Sequence, residues 1–357
     1  MRKMSIDLCR HALSGATMGT RWSALVYASP ATDIAALEAA LSLAVNRVDC
    51  QMSTWKPESD LMRFNTAPLD VWVSLPIELM RVLDRGLAIG RASDGAFDIG
   101  LGALVNAWGF GPAGSTPDQD RIRLALRQQM PPTHTVLELD LLRKRACKHA
   151  PFVLDLSGIA KGFAVDEMVR TVRAFGISHA LVSLDGELKA QGVKADGTPW
   201  IVAVERPDYE MRSPLGVLEL RDAAIATSGD YRHWVDLGGK RMSHTMDRAR
   251  GGPIDNGTAS VTVLAESCMD ADAWATALLV LSPLAGMALA QKEGLNALFL
   301  QRKDGELIQS SVGPIFGSGH GAVRLNTLTA QEPVSENSRA GGGGGHPSVH
   351  GGSPKSA

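Results

Sequence analysis

A Gly-Gly pair at 238–239, set between two short runs of strand-forming residues, leaves the chain almost one local solution. Both glycines reach positive φ without steric cost, so TSGDYRHWVDLGGKRMSHTMDRARGGP (227–253) reads as a tight hairpin. Trp234 and Val235 fall on its first strand, and residues 241–246 form the returning strand. Thr227, Ser228, Asp230, His233, Ser243, His244 and Asp247 crowd this stretch, which closes on Gly251-Gly252-Pro253. Strand alternation puts His244 and Met246 on one face, and Ser243 and Thr245 on the other. A solvent-facing polar hairpin would have the same composition, so the stretch by itself leaves two readings open.

The frame around it is that of a soluble globular enzyme. A chain of 357 residues can bury a full core, and its hydrophobic fraction of 45% and charged fraction of 21% are ordinary. A net charge of -2 with few aromatic residues gives no electrostatic case for nucleic acid. Cys9, Cys50, Cys147 and Cys268 are widely spaced and form no C-x-x-C pair, which argues against a zinc ribbon or a disulfide scaffold. Residues 1–16 lack the apolar core of a secretory signal, and no window approaches the roughly 18 apolar residues of a membrane span. A cytoplasmic protein with no membrane segment is expected.

Along the chain, TMGTRWSALVYA (17–28) reads as a first strand entered through a Met-Gly-Thr turn. Asp33 caps a helix with Ile34, Leu37, Leu41, Val45 and Val48 at helical spacing. The polar loop 52–65 centres on Trp55, with Ser59 capping a short helical turn, and a second amphipathic helix covers 76–91. The five glycines of 93–111 suggest either backbone brought close to a ligand or a plain connector. Residues 112–134 look like a peripheral excursion. Segments 136–140 and 151–156 read as paired strands, 154–177 as strand, loop and helix stopped by Gly176, and 180–192, 199–207, 260–265, 297–300 and 306–311 as further strands. A helix spans 269–281. From 329 the Gly-rich composition cannot bury enough apolar surface to fold, so a disordered tail is expected after a domain at 17–328 and an N-terminal extension at 1–16.

Three places carry chemistry. Asp272 and Thr276 stand at i and i+4 on the last helix and share a face, a pair of hard oxygen donors suited to Mg²⁺ or else ordinary helix residues. In SGIAKG (157–162) glycines flank Lys161 where a strand becomes a helix, a setting that favours anions. Lys161 can pair with phosphate or with Asp166. The spacing is neither that of a P-loop nor of a dinucleotide fingerprint, and no G-x-S-x-G is present. His244 is the best base candidate, its alternative being a structural strand histidine.

Taken together, MGTRW, STWKPESDLMRFN, DGAFDIGLGALVNAWGFG, LDLSGIAKGFAVD, AIATSGDY, SHTMD and DADAWATAL resemble, in order and spacing over about 17–300, the ApbE family of FAD:protein FMN transferases. The resemblance implies an α+β fold with T-fold-like sheets flanked by helices. It also implies Mg²⁺-dependent cleavage of FAD and covalent transfer of FMN to a Thr or Ser hydroxyl of an acceptor flavoprotein, with release of AMP. It makes Asp272 and Thr276 side-chain Mg²⁺ ligands and Gly158 a carbonyl ligand. Met18, Trp55, Ala96, Phe97, Asp98, Asp155, Lys161 and Met246 become FAD contacts, and His244 the base. Two departures stand out: Leu184-Asp185-Gly186-Glu187 replaces the usual Gly-Gly-Asp, and Asp247-Arg248-Ala249-Arg250-Gly251 replaces Asp-Pro-x-Thr-Gly, adding two cations near the expected phosphates. An FAD pyrophosphatase and a non-catalytic FAD-binding protein are the alternatives.

Overall fold

Met18 and Gly19, at φ of 46° and 70°, fold the chain back between β1 (Cys9–Thr17) and β2 (Thr20–Ala28). The computed structural model describes residues 8–112, 114, 116–127, 131–316 and 326–327; the tail expected from 329 lies outside them. β1 moves the domain boundary drawn at residue 17, because it pairs with β2 along its whole length, from Cys9↔Ala28 to Thr17↔Thr20. Its sequence, CRHALSGAT, buries only Leu13 and Thr17, which is why local propensity conceals it. Gly15 is required there: a Cβ would lie 2.5 Å from the indole Nε1 of Trp22 across the pair.

α1 (Ile34–Met52) starts where Asp33 accepts from the Ala36 N–H at 3.0 Å, and α2 (Asp60–Thr66) where Ser59 accepts from the Met62 N–H at 3.1 Å. Next come β3 (Val73–Ser74), α3 (Ile77–Ala92), α4 (Gly102–Ala107), α5 (Gln119–Arg127), α6 (Thr133–Val136), β4 (Leu137–Asp140) and β5 (Arg145–Lys148). α7 (Ala160–Ala174) ends before Gly176, whose φ of 73° stops it. β6 (His179–Leu184) and β7 (Glu187–Gln191) form a hairpin, followed by β8 (Trp200–Glu205), β9 (Pro214–Leu220) and β10 (Ala224–Gly229). Two small ribbons, β11 (Trp234–Leu237) with β12 (Lys240–Ser243) and β13 (Met246–Asp247) with β14 (Gly252–Pro253), lead to β15 (Thr258–Ala265). α8 (Cys268–Val280), α9 (Pro283–Lys292), β16 (Asn296–Lys303), β17 (Glu306–Val312) and β18 (Asn326–Thr327) complete the described elements.

The main sheet has eight strands in the order β1-β2-β6-β7-β10-β15-β16-β17, each antiparallel to its neighbours. Alternation sorts its side chains between two cores. Trp22, Ala24, Val26, Val261, Val263 and Phe299 face the helices α1, α3, α7 and α8. Leu25, Tyr27, Ile225, Leu264 and Leu298 face a three-stranded sheet, β18-β9-β8, through Trp200, Val202 and Leu218. The sheet is therefore covered on both sides, and β15 is buried along nearly its whole length. This is the α+β arrangement expected, with sheets flanked by helices. No helix among the described residues is long and apolar enough to cross a membrane.

Two sequence expectations are corrected. β4 pairs with β5, not with 151–156, which stays extended outside the sheets apart from one bridge, Leu101↔Val153. Its backbone groups are bonded elsewhere: Leu154 N–H donates to the Asn65 side chain at 2.8 Å, Asp155 N–H to Ile99 O, and Val153 O accepts from Gly102 N–H. The returning strand of the Gly-Gly hairpin also stops at Ser243. Gly238 and Gly239 take φ of 62° and 82° as expected, but the strand breaks at His244 and Met246 belongs to the second ribbon.

Candidate active site

The close approach of α7 and α8 organises the site. α8 is buried on all sides and rich in alanine, and Gly162 of α7 lies against it, where a Cβ would come within 2.3 Å of the Cys268 carbonyl. That contact lets the Gly162 N–H, in the first turn of α7, donate to Asp272 Oδ2 at 3.0 Å. A free N–H at a helix N-terminus is a favourable partner for a carboxylate. The Asp166 carboxylate accepts from Ser267 Oγ and from the backbone N–H of Cys268 and Met269, which sets the start of α8. Asp166 is thus committed to capping, with Lys189 as its cation at 2.7 Å, and is not the partner of Lys161.

Lys161 instead meets Glu187 at 2.9 Å and Asp185 at 3.3 Å, the acidic residues of the altered 184–187 turn. Burial disfavours the ammonium charge, yet Glu187, Asp272 and Asp185 outweigh it and hold the Lys161 pKa above its ordinary value. Burial, then the charge of Glu187, pushes the Asp272 carboxyl up to about 8, against the opposing pull of Lys161 and the Gly162 N–H. Glu187 is almost wholly buried, and its Oε2 has no hydrogen-bond partner among the described residues. Thr276 Oγ1 lies 3.0 Å from Ser228 Oγ of β10, and a methyl on Gly158 would lie 3.1 Å from the Thr276 hydroxyl. Gly158, Asp272 and Thr276 therefore line the same part of one cavity, with the Asp272 carboxylate and the Thr276 hydroxyl as its side-chain oxygens.

These groups open into a cavity of about 530 Å³, also lined by Ala96, Phe97, Asp98, Asp155, His233, His244 and Met246. Of the residues singled out in the sequence, Met18 and Trp55 are not among its lining. Met18 packs against the core at the β1–β2 turn, and Trp55 is 67% exposed on the loop after α1. Asp98 is locked by the N–H groups of Gly100 (2.9 Å) and Thr133 (3.2 Å) and by Arg248 at 3.6 Å. Arg248 also covers Gly95, so it clamps the glycine turn, while Arg250 pairs with Asp255 at 3.3 Å. Neither arginine is among the cavity's lining residues, although Arg248 reaches it through Asp98. The missing proline turn is replaced by the Asp247 side chain, which accepts from the Ala249 N–H at 2.8 Å.

His244 is half-buried, edge-on to His233 at 5.4 Å between ring centres. Its Nδ1 lies 3.1 Å from the His233 carbonyl, and because a carbonyl only accepts, the proton sits on Nδ1 and Nε2 carries the lone pair. Desolvation, aided by the charges of His233 and Lys161, lowers its pKa to about 4, so the ring is neutral at pH 7. Ser228, one of the polar residues of the 227–253 stretch, lines the cavity, as do Asp185 and Glu187, which the sequence marked only as a departure of the 184–187 turn; Asn65 was missed. Asn65 pairs both ways with the Leu154 backbone, at 2.8 and 3.0 Å, and so fixes the segment bearing Asp155. The signal available was the Asn that closes the 53–65 block.

The ApbE family model matches residues 18–299. The FAD:protein FMN transferase of Escherichia coli (strain K12) is 35% identical over 317 residues, covering 86% of this chain and 88% of its own length. That of Vibrio cholerae serotype O1 is 36% identical over 296 residues, covering 82% and 87%. Among solved structures, the apo form of the Pseudomonas stutzeri flavinyl transferase ApbE superimposes with a TM-score of 0.76 at 34% identity, over 85% of this chain and 95% of that one. The flavin transferase ApbE from Vibrio cholerae gives 0.76 at 31%, over 85% and 97%.

Proposed function

The chain belongs to the ApbE family, and from that premise we propose that it is an FAD:protein FMN transferase. It cleaves the FAD pyrophosphate and passes the FMN half to a Thr or Ser hydroxyl of an acceptor flavoprotein. The new bond joins the acceptor oxygen to the FMN phosphorus, the bridging P–O bond breaks, and AMP leaves. The observation that carries this reading is the convergence in one cavity of the Asp272 and Thr276 oxygens, a lysine held charged and a neutral histidine with a free ring nitrogen. Hydrolysis or storage has no comparable support, since the relatives are named as transferases.

The donor set fits Mg²⁺, which takes hard oxygen ligands: the Asp272 carboxylate, the Thr276 hydroxyl and the Gly158 carbonyl, where the missing Cβ leaves room. Bound there, Mg²⁺ would neutralise charge on the pyrophosphate and on the departing AMP. Lys161 adds a fixed positive charge, shared with Glu187 and Asp185. The 95–98 turn, held by Arg248, Gly100 and Thr133 against Asp98, keeps backbone close to the ligand. His244 Nε2 accepts the proton of the acceptor hydroxyl. It is a weak base in the free protein, and the negative phosphates entering beside it raise its pKa toward the ordinary range. Met246 and Phe97 supply apolar walls, Asp155 and Ala96 polar edge and backbone. Trp55 offers an exposed indole for stacking, and Met18 a thioether at the β1–β2 turn.

The test is incubation with FAD, Mg²⁺ and candidate acceptor flavoproteins, read by intact mass for an FMN adduct on the acceptor. An adduct is expected, and Asp272→Ala should slow its formation by at least about 10²-fold, the scale on which loss of an electrostatic stabiliser is felt. Free FMN with every acceptor would mean a hydrolase, and unchanged FAD a binding protein.

A further inference from the structure

A second cluster of metal-binding groups lies on the outer face of the small sheet β3-β5-β4. On β5, Ala146 points into the main core and Lys148 reaches Asn65 O at 2.7 Å, so Cys147 and His149 share the opposite face. His149 continues the pairing past the end of β5 through its N–H to Val136 O. Asp70 is tied to the same strand by its N–H to Lys148 O at 2.9 Å. One ligand atom each of Asp70, Cys147 and His149 lies within 4.8 Å of the others. Ligands at about 2.0–2.3 Å from a tetrahedral Zn²⁺ stand about 3.3–3.8 Å apart, so this grouping needs little adjustment to close on an ion.

The two imidazole nitrogens have different partners. Nδ1 faces Asp70 Oδ1 at 2.7 Å, and Nε2 faces Glu138 Oε2 at 3.0 Å. Glu138 is the cross-strand partner of Cys147, so the sheet register itself sets it behind the ring. A carboxylate on the far nitrogen is the arrangement that orients metal-ligating histidines and fixes their tautomer. A thiolate with an imidazole selects a borderline ion such as Zn²⁺, whereas the oxygen donors at Asp272 and Thr276 suit Mg²⁺.

We propose that Cys147 Sγ, His149 Nδ1 and Asp70 Oδ1 form a Zn²⁺ site, with Glu138 accepting from His149 Nε2–H and a fourth position open to water. Binding displaces the thiol proton and the imidazole Nδ1 proton to solvent. Asp70 and His149 are exposed, which gives the ion its entry path. The site is separate from the flavin cavity, whose lining contains none of these residues.

The probe is Co²⁺ added to the chelator-treated full chain in excess Mg²⁺. One equivalent should give near-ultraviolet thiolate-to-cobalt charge transfer with the visible absorption of a tetrahedral ion, both bleached by stoichiometric Zn²⁺. Cys147→Ser should abolish the charge-transfer band, and Glu138→Gln should weaken binding by about 10- to 100-fold. Cys9 and Cys50 are exposed, so only loss on changing Cys147 assigns the band. Because Cys147 is buried, His149→Gln gives a second route: it should lose the tetrahedral spectrum while melting like the wild type in chelator. Asp272→Ala should keep the full signal. A spectrum unchanged in Cys147→Ser or His149→Gln, or lost in Asp272→Ala, would overturn the site and leave an imidazolium between two carboxylates.

Discussion

His244 does its work through a lone pair whose position the backbone dictates. The His233 carbonyl holds Nδ1–H, so Nε2 is left as acceptor, and burial keeps the ring neutral to about pH 4. His244→Asn preserves size and hydrogen bonding but cannot take up a proton near pH 7. We expect transfer to fall by about 10²- to 10⁴-fold in single-turnover assays, with FAD affinity by flavin fluorescence little changed. Loss of FAD binding instead would make His244 a cofactor contact. Stability carries a second signature. The folded pKa lies below the unfolded value of about 6.5, so the unfolded chain binds the extra proton first. Stability linked to His244 is complete above about pH 6.5 and is lost as pH falls through 4. Urea unfolding at pH 7 and pH 5 should show a smaller loss in His244→Asn than in the wild type.

Between elements, the α7–α8 contact is the one on which the Asp272–Thr276 part of the cavity depends. Gly162→Ala puts a Cβ against the Cys268 carbonyl, a backbone atom that cannot rotate away. Overpacking of this kind costs about 1–3 kcal/mol, and moving α8 also pulls Asp272 from the Gly162 N–H. Lower stability and weaker Mg²⁺-dependent FAD binding should appear together; normal affinity with lowered stability would separate the two roles. Helices α1, α2 and α7 were legible because their caps and stops, Asp33, Ser59 and Gly176, are local. β1 was not, since its strand character comes from pairing with β2 rather than from CRHALSGAT. Segment 151–156 has strand composition, but its hydrogen bonds go to Asn65, Ile99 and Gly102, partners that sequence distance hides. In the site, the Asp272–Thr276 pair could be read from helical spacing. Glu187 could not be placed beside Lys161 until the β6–β7 hairpin met α7. The continuous strand drawn through 241–246 failed because Ser243 Oγ accepts from the Thr245 N–H, turning the chain at His244.

Across the whole molecule, the cavity is assembled from segments spread over 96–276 that belong to different packing units. The 185–188 turn and β10 come from the main sheet, Ala203 and Glu205 from the smaller sheet behind it, and Met246 from a third cluster with Leu101, Leu104 and Trp108. A ligand that fills such a cavity couples these units, because each contributes contacts that the others position. By mass action, ligand at 100 times its Kd stabilises the bound state by about 2.7 kcal/mol. That gain is shared by every segment whose local opening breaks the site. The His244→Asn variant, expected to hold FAD without turning it over, allows the measurement. Hydrogen exchange with FAD and Mg²⁺ should slow together in 93–98, 157–162, 185–188, 227–233 and 244–246. The edge strands β1 and β17 contribute nothing to the lining and should exchange as in the free protein. Mg²⁺ alone should protect only 157–162 and the facing turn of α8, since Gly158, Asp272 and Thr276 lie there. If FAD protects no more than Mg²⁺ does, the flavin is not bound in this cavity. If protection reaches 93–98 but not 244–246, the nucleotide is bound without approaching the base.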